Sequence, residues 1–222
     1  MKSLLFSVFL LFTVLISVAQ NVEKPITIYE NTTSFLQKEG MVNTVGIIKS
    51  ESEKHVHMKK ILNPDPGKQK RGLTPWAIKY NEAEYFNLGY SDDLNNWNVF
   101  ARFDIIGKYS AIFIDKDSPK IFYNNGITYG GGVSGALFKD SVKWNKAWID
   151  KNGDKKRILF IDSRVYTPKN VSRVEDGILG NYLTRDQLKE LITVNKIDVQ
   201  GKAPKDLSFE EVVKIIQKLN EE

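Results

Sequence analysis

Three regimes of apolar and polar residues succeed one another along this chain. Residues 4–18 are apolar apart from Ser7, Thr13 and Ser17. Between residues 42 and 162 the dominant period is two. Val42, Val45, Ile47 and Ile48 mark a strand over 42–49, and Trp76, Ile78 and Tyr80 alternate with small or polar neighbours. Aromatic residues crowd 85–90, and apolar residues recur over 97–106, 109–115, 133–138 and 157–162. Such alternation turns one face of a strand to a core and the other to solvent. After residue 184 the spacing becomes helical. Leu188, Leu191 and Ile192 form one stripe, and Val212, Ile215, Ile216 and Leu219 form a second.

The punctuation agrees with this division. Thr184 precedes Gln187 by three residues, and Ser208 precedes Glu211 by three. Both are capping boxes, in which two side chains satisfy helix-end N–H groups reciprocally. Gly201 and Pro204 fall in the connection between the two helices. Gly107-Lys108 reads as a two-residue hairpin turn joining 97–106 to 109–115. Residues 150–154, Asp-Lys-Asn-Gly-Asp, carry the Asn-Gly pair of a second hairpin. The preceding segment, 143–149, fits either helix or strand, because Trp144 and Trp148 share a face in both; the turn that follows favours strand. Residues 62–75 hold three prolines and two glycines, a loop or boundary. Strands first and helices last predict an α+β fold: one β-rich domain over 20–222, with a mostly antiparallel sheet body and a C-terminal helical pair over 184–220.

The amino-terminal apolar run changes the picture of where this fold works. Lys2 is the only charge before Glu23, and Ser17 and Ala19 supply small residues at its end. A positive head, a short apolar stretch and a small-residue end describe a secretory signal peptide over 1–19, cleaved after Ala19. The run is shorter than the ~20 apolar residues a spanning helix requires, and no second run reaches that length. The processed chain is therefore expected to be secreted or periplasmic, without an integral membrane segment. It has no cysteine, so a lipid cannot be attached at the cleavage site, and no disulfide reinforces the fold. Loss of the leader lowers the net charge from +5 to +4. The charges are mixed along the chain, and Lys68, Lys70 and Arg71, beside Pro64, Pro66 and Gly67, read as a solvated loop. From residue 181 to 222 there are seven Lys or Arg against eight Asp or Glu. Phosphate binding depends on cation–phosphate contacts, so nucleic acid is excluded as a partner.

Candidate chemistry is sparse. His55 and His57, the only histidines, share one face of a strand and could place two imidazoles on a metal, with Glu51 or Glu53 adding a carboxylate. Residues 132–136, Gly-Val-Ser-Gly-Ala, approach a nucleophile elbow around Ser134 but end on Ala136, and both histidines lie upstream. Asp150, Asn152 and Asp154 echo the start of a calcium loop that then fails at Lys155 and Ile161. Asp92, Asp104 and Asp115 are placed where a glycosidase could hold its acids, and serve equally as turn formers. No phosphate loop or dinucleotide fingerprint occurs, so no cofactor is called for. Most aromatics belong to a core; Trp97, Trp144 and Trp148, flanked by polar residues, are the candidates for exposed contact with a protein or glycan. Asn31 and Asn170 head glycosylation sequons. These features lead to an exported binding or structural module for an unknown protein or glycan. The competing reading is an exported hydrolase using dispersed carboxylates or the His55/His57 pair. Amino-terminal sequencing of the protein recovered from its host is expected to begin at Gln20; an intact Met1 would refute the leader.

Overall fold

A computed structural model of the chain describes residues 22–65, 73–91, 93–119, 122, 146–163 and 180–221. The leader, the basic trio at 68–71, Asp92, the glycine-rich segment with Ser134, the strand expected over 133–138, Trp144 and the Asn170 sequon lie outside the described residues.

Six short strands alternate apolar residues and close on themselves. They are β1 (Val22–Tyr29), β2 (Met41–Ser52), β3 (His55–Leu62), β4 (Ala77–Tyr80), β5 (Ala83–Asn87) and β6 (Val99–Arg102). Every pairing is antiparallel, the order is β1-β2-β3-β6-β5-β4, and β1 pairs with β4 to complete a barrel. Closure removes the unpaired edges that an open sheet would expose. Ile26, Ile28, Ile48, Val56, Met58, Ile61, Ile78 and Phe100 fill the interior, so the barrel is a packed core rather than a channel. Between β1 and β2 a single helical turn, α1 (Thr32–Leu36), begins at Asn31, whose side chain accepts from the Ser34 N–H at 2.9 Å. The Asn31 sequon is thus part of a helix cap.

A second antiparallel sheet stands beside the barrel. It comprises β7 (Tyr109–Ile114), the two-residue β8 (Trp148–Ile149), β9 (Lys155–Asp162) and the two-residue β10 (Asn181–Tyr182), in the order β10-β9-β7 with β8 also paired to β9. Both of its faces are apolar. Ile112, Ile114, Leu159 and Ile161 join Trp76, Phe86, Val99 and Phe103 in a core shared with the outside of the barrel. The alternate positions Tyr109, Ala111, Ile158 and Phe160 pack under α2 (Arg185–Val194) and α3 (Phe209–Leu219). Both helices start on the capping boxes anticipated at Thr184/Gln187 and Ser208/Glu211. The architecture is therefore barrel, sheet and helical pair in succession, an α+β fold with helices on one face of antiparallel sheet. Among the described residues no helix is long and apolar enough to cross a membrane.

Two expectations need correction. Residues 97–106 and 109–115 do not form a hairpin. β6 stays in the barrel between β3 and β5, β7 pairs with β9, and the two segments meet only near Asp104 and Ile105, through the Ile105–Ala111 bridge and the Asp104 contacts to Ala111 and Phe113. Chain neighbours parted because β6 was needed to close one sheet and β7 to build another. Trp148 is no exposed contact residue either. It is 1% exposed, with the Arg185 guanidinium 4.3 Å above its ring, whereas Trp97 is 37% exposed and packs edge-on against Tyr90. The 150–154 turn does join β8 to β9, and residues 148–149 are strand, as the turn suggested.

Among the described residues the outer edge of β7 has no neighbouring strand, and it is capped by other means. The Asn220 amide, at the end of α3, accepts from the Tyr109 N–H at 2.9 Å and donates to the Tyr109 carbonyl at 2.8 Å. Ala111 exchanges hydrogen bonds with Ile105, and the Asp104 carboxylate accepts from the Phe113 N–H at 2.6 Å. Gly107 leaves room for this clamp, since a Cβ there would lie 2.3 Å from Asn220 Oδ1. Asn220→Ala is expected to cost about 1–3 kcal/mol by stranding two backbone groups, read as a lowered thermal midpoint. Gly107→Ala should act through the same contact, so a double-mutant cycle of the two is expected to be strongly non-additive.

Candidate functional site

Apart from Thr44, buried opposite Ile26, the barrel interior is apolar, and it gives way to polar side chains at one end. There β4 ends on Tyr80 after Ile78, β6 ends on Arg102 after Phe100, and Tyr85 is paired with both Ile78 and Arg102. On β2 the residue opposite Val56 is Glu51. These side chains form the floor and wall of a recess of about 430 Å³ over the barrel mouth, completed by Glu53 and Ser52 from the β2–β3 turn and by Asn81 and Glu82 from the β4–β5 turn. Tyr80 is hydrogen-bonded to Glu51, and burial, followed by that contact, raises its phenol pKa. Burial also raises the Tyr85 phenol. Arg102 opposes the effect, while Glu51 and Glu53 add to it. The Arg102 guanidinium lies 3.5 Å from Glu53 Oε1, and Lys79 lies 2.9 Å from Glu82 Oε2; both pairs are exposed and contribute little to stability.

The β4–β5 turn has two residues with positive φ, Asn81 at 47° and Glu82 at 61°. That is the type I′ hairpin, whose second position normally falls to glycine. A glutamate there costs roughly 1–2 kcal/mol of backbone strain. Its carboxylate is thereby delivered to the recess.

A smaller recess, about 280 Å³, adjoins the first through Glu53 and Arg102 and reaches Lys54, Asp104, Phe113 and Phe122. Desolvation raises the Asp104 carboxyl, against the Phe113 N–H, Lys54 and Arg102. Asp115 is also pushed up by burial, but the Ser118 hydroxyl, Lys54 (3.6 Å away) and the Asp117 N–H outweigh this, and its pKa falls. Two carboxyls shifted in opposite directions are a pattern of acid–base sites. Here each is engaged on a backbone N–H of its own neighbourhood, Phe113 for Asp104 and Asp117 for Asp115.

His55 and His57 do share the outer face of β3, opposite Ala101 and Val99 of β6. His55 is buried, its Nδ1 lies 2.6 Å from Ser52 Oγ, and its ring meets Phe122 edge-on. Ser52 Oγ also accepts from the Lys54 N–H, so the contact braces the hairpin. Among the described residues no three His, Asp or Glu side chains converge as a metal site. The calcium-like loop is likewise occupied by the protein itself. Asp150 Oδ1 accepts from the Asn152 and Asp154 N–H groups, and Lys156 lies 3.3 Å from its Oδ2. In the sequence Glu51 and Glu53 stand out only as helpers to the histidines, and Tyr80, Glu82, Tyr85 and Arg102 do not stand out as site residues. The signal was present in the β4–β5 turn, where Asn-Glu stands in place of Asn-Gly.

Burial lowers the pKa of His55, and burial with Lys49 and His55 lowers that of His57. The folded state then binds fewer protons than the unfolded chain, so these residues withdraw stability as pH falls below about 6.5 toward the folded values. The double substitution His55→Asn with His57→Gln is expected to shrink the fall in thermal midpoint between pH 7 and pH 5; an undiminished fall would remove the histidines as its source.

Comparison of the chain with models of known protein families, with curated proteins and with solved structures gives no match, so any functional reading rests on the geometry of this chain.

Proposed function

We propose that this protein is an exported binding module that takes its ligand at the barrel mouth. One observation carries the reading: a closed barrel with a packed apolar core bears, at one end, polar side chains that line a recess. Polar groups placed on rigid strands over a dry core are held without reorganisation cost, which is what a binding site requires. The leader-like residues 1–19 support export. The hydrolase reading draws less support. Asp104 and Asp115 are tied to local N–H groups, and Ser52 and His55 to each other and to their turn.

The test is photo-crosslinking in the native host, with p-benzoylphenylalanine replacing Glu53 at the recess or, as a control, Val194 on the exposed side of α2. A discrete adduct from position 53 and none from position 194, on protein recovered outside the cytosol, is the expected result. Equal adducts from both positions, or none from position 53, would overturn the binding reading; a cytosolic location would overturn export.

A further inference from the structure

We infer that the barrel-mouth recess is built for an organic cation of the alkylammonium class, either a free amine or a lysine side chain of a partner. The inference rests on the recess being the binding site. Its lining is rich in groups that accept hydrogen bonds: the carboxylates of Glu51 and Glu53 on one side and Glu82 on the other. The guanidinium in the recess, Arg102, already faces Glu53. An ammonium group offers three donors and no acceptor, the complement of this lining.

A second observation is independent of the acidic residues. Tyr85 is 5% exposed, its ring belongs to the barrel core, and its side chain lines the recess with no hydrogen-bond partner for its hydroxyl among the described residues. A largely desolvated phenol whose hydroxyl is not engaged by the protein can accept a hydrogen bond from an ammonium donor. The carboxylates come from β2, from the β2–β3 turn and from the β4–β5 turn, and among the described residues they do not converge as a metal-binding group, so they bracket something larger than a bare ion. The recess volume, about 430 Å³, is in the range of small-ligand sites. The local balance, three glutamates against Arg102 in the recess and Lys79 at its edge, leaves one negative charge and runs against the positive charge of the whole chain. The strained backbone at Glu82 has the same sense: glycine would relax the turn but remove one carboxylate from the rim.

The experiment titrates the purified protein with spermidine, with acetyl-Gly-Lys-Gly-amide and with maltotriose, following Tyr85 and Arg102 resonances by NMR. Either cation is expected to shift both resonances, less so at high salt, with spermidine the tighter ligand if the source is a free amine and the peptide the tighter if it is a protein side chain. Glu51→Gln with Glu53→Gln is expected to weaken the binding about ten-fold or more. Glu82→Gly should also weaken it while raising the thermal midpoint, an outcome that misfolding cannot imitate. Maltotriose shifting the recess while both cations fail would overturn the cation class and leave the binding-site reading standing. Cation binding unaltered in these variants, or no shift with any cation, would overturn the inference.

Discussion

A sheet that is apolar on both faces must be covered on both, and the rest of this structure follows from that requirement. Along β7 and β9 successive side chains point alternately to the barrel and to the helices, and over Tyr109–Ile114 and Ile158–Ile161 all but Ser110 are apolar or aromatic. Neither cover alone would suffice. Without α2 and α3, Tyr109, Ile158 and Phe160 would face water; without the barrel, Ile112, Leu159 and Ile161 would. At roughly 25 cal/mol per Å² of apolar area, each exposed face would cost more than the few kcal/mol by which domains of this kind are stable. The lateral edge is handled by side chains, Asn220 and Asp104, which imitate a neighbouring strand.

The barrel has a second consequence. Closure places inward residues on a small circle, so whatever stands at the last inward position of each strand converges with its counterparts. Below that rung the residues, apart from Thr44, are apolar and the interior is packed. At the rung they are Glu51, Tyr80, Tyr85 and Arg102. Their convergence comes from register: Tyr85 opposite Arg102, and Glu51 opposite Val56. A shift of one residue in either pairing would turn the polar groups outward and carry apolar ones to the rim. The site is therefore as well determined as the sheet that bears it. The adjoining recess shares Glu53 and Arg102, and couples the mouth of the barrel to the capped edge of β7 through Asp104.

Much of the fold is legible in local patterns because the interactions behind them are local. Thr184 with Gln187 and Ser208 with Glu211 are capping boxes within one helical turn, and both are formed. The 150–154 turn needs only Asn152, Gly153 and the Asp150 carboxylate to bring β8 back onto β9. The same reasoning failed at Gly107-Lys108, because the turn signal there is real but the strands around it have better partners elsewhere. It failed at Trp148 because polar neighbours in sequence say nothing about Arg185, which lies far along the chain and covers its ring.

Taken alone, the amino-acid sequence determined the α+β class, the strand and helix periods, the caps, the 150–154 hairpin and the absence of disulfides, since each depends on residue type or on neighbours a few positions away. The tertiary structure decided the rest: which strands close into a barrel, which join the second sheet, and which polar residues meet at the mouth. Those outcomes depend on pairings between residues such as His57 and Val99 or Tyr109 and Asn220, whose separation along the chain is bridged only when the whole apolar surface is buried at once.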